Sequence, residues 1–379
     1  MRDADIMTHL RVLHASPTWF SPDSVIGGGE RWVDNVMAAL STGAPWISQA
    51  MVTIGAEPGL AMRGRTVVRI LANERASRAP MDALSSQLWS EFAAFDVIHV
   101  HQSLTDFGAY ACCIAASLGK TVVLTDLGGG ANPVMLRGGL GMADGVVSIS
   151  EYAHAMIASD VRSPAIVLTG PVDTDVFQPG GMPSDEPAAI CVSRVMPHKG
   201  IDRIIRALPQ GLKLRVVGRV YHEAYRTLLG ELAADKDVEF IHDATDESLI
   251  GLYQRSSVFL QASCIRDIYG NVAANTELMG LTTLEAMACG LPVIVSADGG
   301  SLPELVTDPA FGCVFVTEGE LEALLRRHQA GLWPAGNACR AAARSYAVAS
   351  CGLGEYGRRL ARFYADVHTR RWKGGLCAS

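Results

Sequence analysis

The sequence predicts an α/β protein built from two doubly wound, Rossmann-like domains. The chain has 379 residues, and at roughly 100–200 residues per domain this length indicates two domains. Short β-branched runs alternate with helical patterns, which is typical of a parallel sheet with helices on both faces. A segment rich in proline and glycine near residue 180 interrupts the alternation, which then restarts.

The first half of the chain accounts for the first domain. Its helical stretch ERWVDNVMAALS places apolar side chains on one side, as a helix covering a sheet requires. The candidate strands are residues 11–16, 50–55, 96–101, 121–126, 145–150 and 165–170. These elements predict a domain over residues 1–178.

The segment QPGGMPSDEPA (178–188) has the composition of a linker, because it is poor in large apolar residues. Strands such as AAICVSRV, KLRVVGR and VFLQAS alternate with helices beyond it. We therefore predict a second domain over residues 179–354. Ligands of doubly wound folds bind beyond the carboxyl ends of the strands, so the predicted site is a central cleft that the two domains face.

The composition excludes several classes of protein. Hydrophobic residues make up 49% and the net charge is −7, which argues against disorder and against nucleic acid as a main partner. The nine cysteines show no zinc-binding spacing, so no metal site is predicted, and unpatterned cysteines are typical of buried thiols in a reducing compartment. No apolar run approaches the ~20 residues of a membrane span, and we expect a cytoplasmic protein.

The stretch IGGGERWV (26–33) is a first candidate site. Its glycines open a helix, and bare amides at a helix N-terminus attract anions while glycine allows close approach. Gly28 and Gly29 are therefore candidate phosphate contacts. An ordinary flexible loop before a helix explains the same residues.

Arg194 and Lys199, in CVSRVMPHKGIDRII, form a second candidate site. They lie five residues apart after a predicted strand, where two cations can neutralise a diphosphate. Two solvated surface charges are the alternative.

The segment ELMGLTTLEAMACG offers a third site with two glutamates. Glu277 lies in a loop, where a carboxylate can accept hydrogen bonds from vicinal hydroxyls of a sugar. The amides of Gly280, Leu281, Thr282 and Thr283 can form an anion-binding nest at a helix start. Glu285 either binds ligand or forms a capping box with Thr282 in the pattern T-x-x-E.

Taken together, these motifs resemble the family-4 glycosyltransferases of the GT-B fold over nearly the full chain. The resemblance rests on motifs in the family's order, and most of all on two glutamates separated by seven residues, Glu277 and Glu285. The other motifs are GGGER (27–31), GPVDTDVFQP (170–179), VSRVMPHKGIDRIIRAL (192–208) and EAMACGLPVIVSADGGSLPELV.

The resemblance implies roles for the candidate residues. Glu277 would act on the donor sugar as a catalytic residue with Arg194 and Lys199, which would hold the diphosphate. Glu285 would bind the ribose. Gly28 and Gly29, with Gly280, Leu281, Thr282 and Thr283, would complete the donor site.

The resemblance also implies a reaction. The donor would be a nucleotide-diphosphate sugar of UDP or GDP type, bound mainly by the C-terminal domain. The acceptor would be a sugar, a lipid-linked acceptor or a small molecule. Transfer would retain the anomeric configuration without a metal or other cofactor, and a last helix at about 355–379 would cross back to the first domain. A catalytically idle donor-binding subunit, or a nucleotide-sugar hydrolase or epimerase, is the alternative.

The chain departs from the family where a histidine often follows the strand TVVLTD. Here the sequence reads TDLGGG, with Asp126 and Leu127. Basic residues also cluster in MRGRTVVRILANERASR (62–78), which is either a solvated face or a surface for peripheral contact with a membrane.

Overall fold

The computed structural model divides into two compact units. Unit 1 comprises Met1–Pro171 and Gly352–Ser379, and unit 2 comprises Val172–Cys351. The structure describes residues 9–21, 27–76, 79–128, 137–180, 188–273, 275–333 and 336–376.

Unit 1 contains an eight-stranded sheet in the order β3-β4-β2-β1-β5-β6-β7-β8. All neighbouring strands are parallel except β3 and β4, which form an antiparallel hairpin at one edge. The strands are β1 (Arg11–Ala15), β2 (Ser48–Gly55), β3 (Gly59–Arg63), β4 (Thr66–Ala72), β5 (Val97–His101), β6 (Thr121–Thr125), β7 (Gly145–Ser148) and β8 (Ala165–Val167). This order is that of a doubly wound sheet, because the chain starts near the middle and proceeds first to one edge and then to the other.

Helices cover the sheet of unit 1, and the last one comes from the C-terminal part of the chain. They are α1 (Gly28–Gly43), α2 (Leu88–Ala93), α3 (Asp106–Ser117), α4 (Glu151–Ile157) and α11 (Leu353–Leu376). Helix α11 packs on α1, where a Cβ at Gly357 would collide with the carbonyl oxygen of Ala39 and a Cβ at Gly43 with that of Gly354. Glycine is needed at both positions because the two backbones approach so closely.

Unit 2 contains a six-stranded parallel sheet in the order β11-β10-β9-β12-β13-β14. The chain again starts in the middle, at β9, runs to the edge at β11 and then crosses to β12 on the other side of β9. The switch point therefore lies at the carboxyl ends of β9 and β12. The strands are β9 (Ala188–Val192), β10 (Lys213–Val217), β11 (Val238–Ile241), β12 (Val258–Gln261), β13 (Val293–Ser296) and β14 (Gly312–Phe315).

The helices of unit 2 bury an aliphatic core against this sheet. Its members include Ile190, Ile204, Leu214, Leu260 and Ile294, each fully buried. The helices are α5 (Ile201–Ala207), α6 (Glu223–Leu232), α7 (Asp246–Gln254), α8 (Leu281–Ala288), α9 (Glu318–Gln329) and α10 (Asn337–Cys351).

The boundary between the units falls after Pro171, earlier than the predicted boundary after residue 178. Residues 172–177 belong to unit 2 because they are bound there: Arg344 donates hydrogen bonds to the carbonyls of Thr174 and Phe177, at 2.7 Å each. The ring of Phe177 packs edge-on against Tyr253. Most of the predicted linker, residues 181–187, lies outside the described residues.

Residues 62–72 of the basic stretch lie in the β3–β4 hairpin, which was not predicted from the sequence. Several arginines of the stretch are engaged in ion pairs: Arg63 with Asp34 at 2.7 Å, Arg69 with Glu91 at 3.3 Å and Arg75 with Asp106 at 2.6 Å. Arg78 lies outside the described residues. Pairing reduces the charge available to an anionic surface, which favours the interpretation as a solvated face. In the described parts of the chain, no helix is long and apolar enough to cross a bilayer.

Candidate active site

The candidate site of unit 2 lies at the carboxyl ends of β9 and β12. Arg194 follows β9 and is exposed, with its guanidinium over the ring of Tyr221. Lys199 ends a 3₁₀ turn, Pro197–Lys199, and is only 7% exposed. Gly200 then has φ 63°, and a Cβ there would collide with the carbonyl oxygen of Ala262. This close approach to the segment after β12 places Lys199 beside the loop that holds Glu277.

Lys199 and Glu277 form a largely buried ion pair. The Lys199 Nζ atom donates to Glu277 Oε2 at 2.8 Å and to the carbonyl of Thr276 at 3.2 Å. Burial by itself raises the pKa of Glu277, but Lys199, the N–H of Gly280 and the charge of Arg194 together lower it below its ordinary value. Glu277 is therefore ionised at neutral pH, and both of its oxygens can accept hydrogen bonds.

Glu277 has a further donor that the sequence analysis did not identify. Gln261, the last residue of β12, donates from Nε2 to Glu277 Oε2 at 2.6 Å, and Thr283 Oγ1 donates to Gln261 Oε1 at 2.6 Å. A polar residue at the carboxyl end of an otherwise apolar central strand was the available signal in VFLQAS.

Helix α8 begins directly after the loop of Glu277. Its N-cap, Gly280, is left-handed with φ 77°, and its N–H donates to Glu277 Oε1 at 3.3 Å. No side chain of the described residues caps this helix. Because the first amides of a helix lack helical acceptors, the N–H groups of Leu281 and Thr282 lie at an end that favours anions.

The capping-box interpretation of Glu285 is wrong. Helix α8 starts at Leu281, so Thr282 is inside the first turn rather than at the N-cap position, and Glu285 lies too far along the helix to reach back. The side chain of Glu285 is instead buried, with 1% exposure, and lies 3.3 Å from the donor hydroxyl of Tyr253. The two glutamates thus have different surroundings within one segment.

Gly28 and Gly29 belong to unit 1, at the start of α1. No side chain of the described residues caps this helix either, and its N-cap is Gly27. A Cβ on Gly29 would lie 3.3 Å from the side-chain amide nitrogen of Gln102, whereas a Cβ on Gly28 would meet nothing within 4 Å. Gly28 is therefore the more open of the two positions.

The loop that replaces the family histidine begins at the carboxyl end of β6. Asp126 accepts hydrogen bonds from the N–H groups of Leu127 and Gly128, and burial nevertheless raises the pKa of its carboxyl group. Gly129 and Gly130, the rest of TDLGGG, lie outside the described residues.

Three buried histidines in unit 1 form a cluster that the sequence analysis did not predict. His14 lies on β1, opposite His99 of β5, and His101 follows on the same face. All three are fully buried. Their nitrogens lie within 4.8 Å of one another, so this is the group of described residues that could hold a metal ion.

Hydrogen bonds assign the protons of this cluster without a metal. Gln49 uses its amide nitrogen as a donor to Met37 O, so its Oε1 accepts from His14 Nε2 at 3.2 Å. His14 Nδ1 must then accept from His101 Nε2, at 3.0 Å. A metal ion would have to displace this hydrogen bond. His99 bonds with Tyr364 at 2.6 Å on one side and with Thr125 at 2.8 Å on the other.

Two largely parallel sheets, each covered by helices, define the fold class of this protein. Solved structures share this fold. A glycosyltransferase from Rickettsia africae superposes with a TM-score of 0.70 at 15% identity, over 95% of this chain and 98% of that one. HepE from Anabaena, solved with UDP and glucose, gives 0.68 at 16% identity, over 94% and 100%. The predicted GT-B class, with two Rossmann-like units, is confirmed.

Similarity in sequence covers part of the chain. Residues 172–329 match the family model of glycosyl transferases group 1. A GDP-mannose-dependent alpha-(1-6)-phosphatidylinositol monomannoside mannosyltransferase from Mycolicibacterium smegmatis is 32% identical over 193 residues, 45% of this chain and 49% of that protein. A D-inositol 3-phosphate glycosyltransferase from Mycobacteroides abscessus is 29% identical over 246 residues, 58% and 53% respectively.

The match of residues 172–329 to the group 1 glycosyl transferases supports the resemblance to family-4 glycosyltransferases that the motifs indicated. The matched segment contains Arg194, Lys199, Glu277 and Glu285. The chain spans about half the length of the relatives named above.

Proposed function

We propose that this protein is a retaining glycosyltransferase that moves a sugar from a nucleotide-diphosphate sugar to an acceptor hydroxyl. The buried Lys199–Glu277 pair beside the uncapped N-terminus of α8 is the observation that carries the proposal. A nucleoside diphosphate leaves with negative charge, which Lys199, Arg194 and the first amides of α8 would stabilise. Glu277 would bind a hydroxyl of the donor sugar, and Glu285 the ribose.

The relatives support a narrower statement about substrates. One relative is named for GDP-mannose, and HepE was solved with UDP, so we propose a donor of GDP or UDP type. Relatives named for phosphatidylinositol monomannoside and inositol 3-phosphate favour a polyol or lipid-linked acceptor. We further propose a cytoplasmic enzyme whose membrane contact is at most peripheral.

The experiment that tests the function combines binding and transfer. Thermal unfolding is measured with a panel of UDP-, GDP- and ADP-sugars to identify the donor, because a ligand that binds only the folded state raises Tm. Transfer from that donor is then measured by mass spectrometry with inositol phosphates, phosphatidylinositol glycolipids and simple glycosides. Stabilisation by a donor followed by a glycosylated product is the expected result. Release of free sugar at the same rate without any acceptor would contradict the proposal.

Transfer is expected to be independent of metal ions. Arg194 and Lys199 supply the positive charge that a divalent cation supplies to a diphosphate in other enzymes. Initial rates measured in excess EDTA should therefore equal those in Mg²⁺ or Mn²⁺. A rate that falls in EDTA and returns with added cation would refute this prediction.

The product is expected to keep the anomeric configuration of the donor. Glu277 is held by Lys199 and Gln261, an arrangement that suits binding of the sugar rather than attack on it. The bond from the anomeric carbon to phosphate would break as the bond to the acceptor oxygen forms on the same face, and the acceptor proton would pass to the leaving phosphate. The one-bond carbon–hydrogen coupling of the first product, measured by NMR, distinguishes the two outcomes. An inverted linkage would contradict the assignment.

A further inference from the structure

Glu277 is tied to the core of unit 2 by a chain of three hydrogen bonds. Thr283, in the first turn of α8, donates to Gln261, and Gln261 and Lys199 both donate to the same oxygen of Glu277, with distances of 2.6, 2.6 and 2.8 Å in that order. Gln261 is 2% exposed and Thr283 is fully buried. Gln261 and Thr283 are therefore shielded from water. Hydrogen bonds to a charged group are stronger in such surroundings than in water.

The chemistry of the partners fixes the orientation of the Gln261 amide. An ionised carboxylate can only accept hydrogen bonds, so the atom that Gln261 turns toward Glu277 must be its NH₂ group. Its oxygen then faces Thr283, whose hydroxyl must donate. The donor and the acceptor of each hydrogen bond are therefore fixed. Gln261 thus links the end of β12 to the loop of Glu277 in a single orientation of its amide.

The two oxygens of Glu277 are engaged unequally. Oε2 receives both short bonds, whereas Oε1 accepts from the N–H of Gly280 at 3.3 Å. Oε1 thus keeps the greater capacity to accept from a sugar hydroxyl. If Lys199 turns toward the diphosphate of the donor, as the proposed function requires, Gln261 is the donor that remains on Oε2.

We infer that Gln261 is a positioning residue for transfer, which holds the Glu277 carboxylate so that Oε1 faces the donor sugar while Lys199 engages the diphosphate. The inference rests on the proposed function. Gln261 does not touch the substrate in this account; it acts through Glu277. A displacement of a reacting group by about 1 Å can lower a rate by as much as 10²-fold.

The test compares Gln261→Leu, Gln261→Glu and Tyr225→Phe with the parent enzyme. Tyr225→Phe is the matched control, because the buried hydroxyl of Tyr225 donates to Asp202 in the same unit and has no contact with Glu277. We expect Gln261→Leu to lower kcat roughly tenfold at an unchanged Kd for the nucleoside diphosphate. Tyr225→Phe should lower Tm and leave kcat as in the parent.

The glutamate substitution gives a pH-dependent readout that a purely structural role would not produce. In Gln261→Glu, two carboxylates face each other at high pH, and the introduced group has no proton to donate. As the pH falls, that group takes up a proton and regains a donor toward Glu277. The kcat of this variant should therefore recover toward the parent value on acidification, whereas that of Gln261→Leu should stay low.

A double-mutant cycle completes the test. If Gln261 acts through Glu277, Gln261→Leu should lower kcat less than twofold when it is introduced into Glu277→Ala. An equal loss in both backgrounds, or a loss in Gln261→Leu no larger than in Tyr225→Phe, would overturn the inference. If the parent enzyme transfers sugar but the Gln261 variants show one of these results, only the inference about Gln261 fails. If the parent enzyme transfers sugar from no donor, the proposed function fails.

Discussion

Glu277→Ala is expected to lower kcat by a factor of about 10² or more, because the closed site loses a preorganised polar contact with the donor sugar. The affinity for nucleoside diphosphate should change little, since Glu277 is paired with Lys199 rather than placed toward the nucleoside in the proposed arrangement. Steady-state kinetics with the identified donor gives kcat, and calorimetry with the nucleoside diphosphate gives Kd.

Glu285→Gln is the matched comparison, because it changes a carboxylate in the same segment of the chain. It should weaken nucleotide binding about tenfold or more, the equivalent of one charge-assisted hydrogen bond to the ribose. Thermal unfolding of both variants separates function from stability. Full kcat in Glu277→Ala would show that the site is wrongly assigned, and parental nucleotide affinity in Glu285→Gln would remove the ribose role.

Acid is expected to destabilise unit 1 steeply, because three buried histidines must gain protons when it unfolds. Burial lowers the pKa of His14 from 6.5 to about 4, and burial with neighbouring histidines lowers the pKa of His99 and of His101 well below 6.5. The folded state keeps all three neutral, whereas the unfolded chain protonates them below pH 6.5. Their contribution is complete above the unfolded pKa and is lost as the pH falls toward the folded values.

The expected loss is large compared with the stability of a domain. Each proton that only the unfolded state binds contributes ~1.4 kcal/mol per pH unit. Because an unfolded histidine is half protonated at pH 6.5, the three together should lower the free energy of unfolding by ~5 kcal/mol between pH 6.5 and pH 5, against a usual total of ~5–15 kcal/mol.

Urea unfolding at several pH values between 7.5 and 5 measures this slope. Peptides of unit 1 are followed by pulse proteolysis and mass spectrometry. His101→Gln is the informative variant, because its amide can still donate to His14 but does not titrate. Its slope should be smaller than that of the parent by ~1.4 kcal/mol per pH unit. An identical slope in the two proteins would show that the cluster is not responsible.

Much of the fold and of the site in unit 2 could be predicted from the sequence. The alternation of strands and helices predicted the two doubly wound units, since most of the strands are short, apolar and separated by a helix. A helix start was predicted at residues 280–283, and α8 begins there, at Leu281. The motifs also pointed to Lys199 and Glu277, which the structure brings into contact.

Other features depend on contacts that local patterns do not encode. The β3–β4 hairpin is closed by residues 63–66, in which Gly64 is left-handed. In the sequence, the arginines of this segment indicated only a charged surface. The T-x-x-E pattern at Thr282 suggested a cap, but the position of a cap depends on where the helix begins. His14 and His101 come together only because β1 pairs with β5, and the bridge from Thr283 through Gln261 to Glu277 joins three separate elements.

The return of the C-terminal helix to unit 1 has a consequence for biosynthesis. Residues 352–376 supply a helix against α1, with Gly357 close to Ala39, and a hydroxyl from Tyr364 to His99. A ribosome releases these residues only after all of unit 2 has emerged. Unit 2 is continuous in sequence, so it can complete its core first. Until α11 has been synthesised, the surface of α1 against which it packs stays uncovered. Unit 1 can therefore complete its core only after unit 2 has been synthesised.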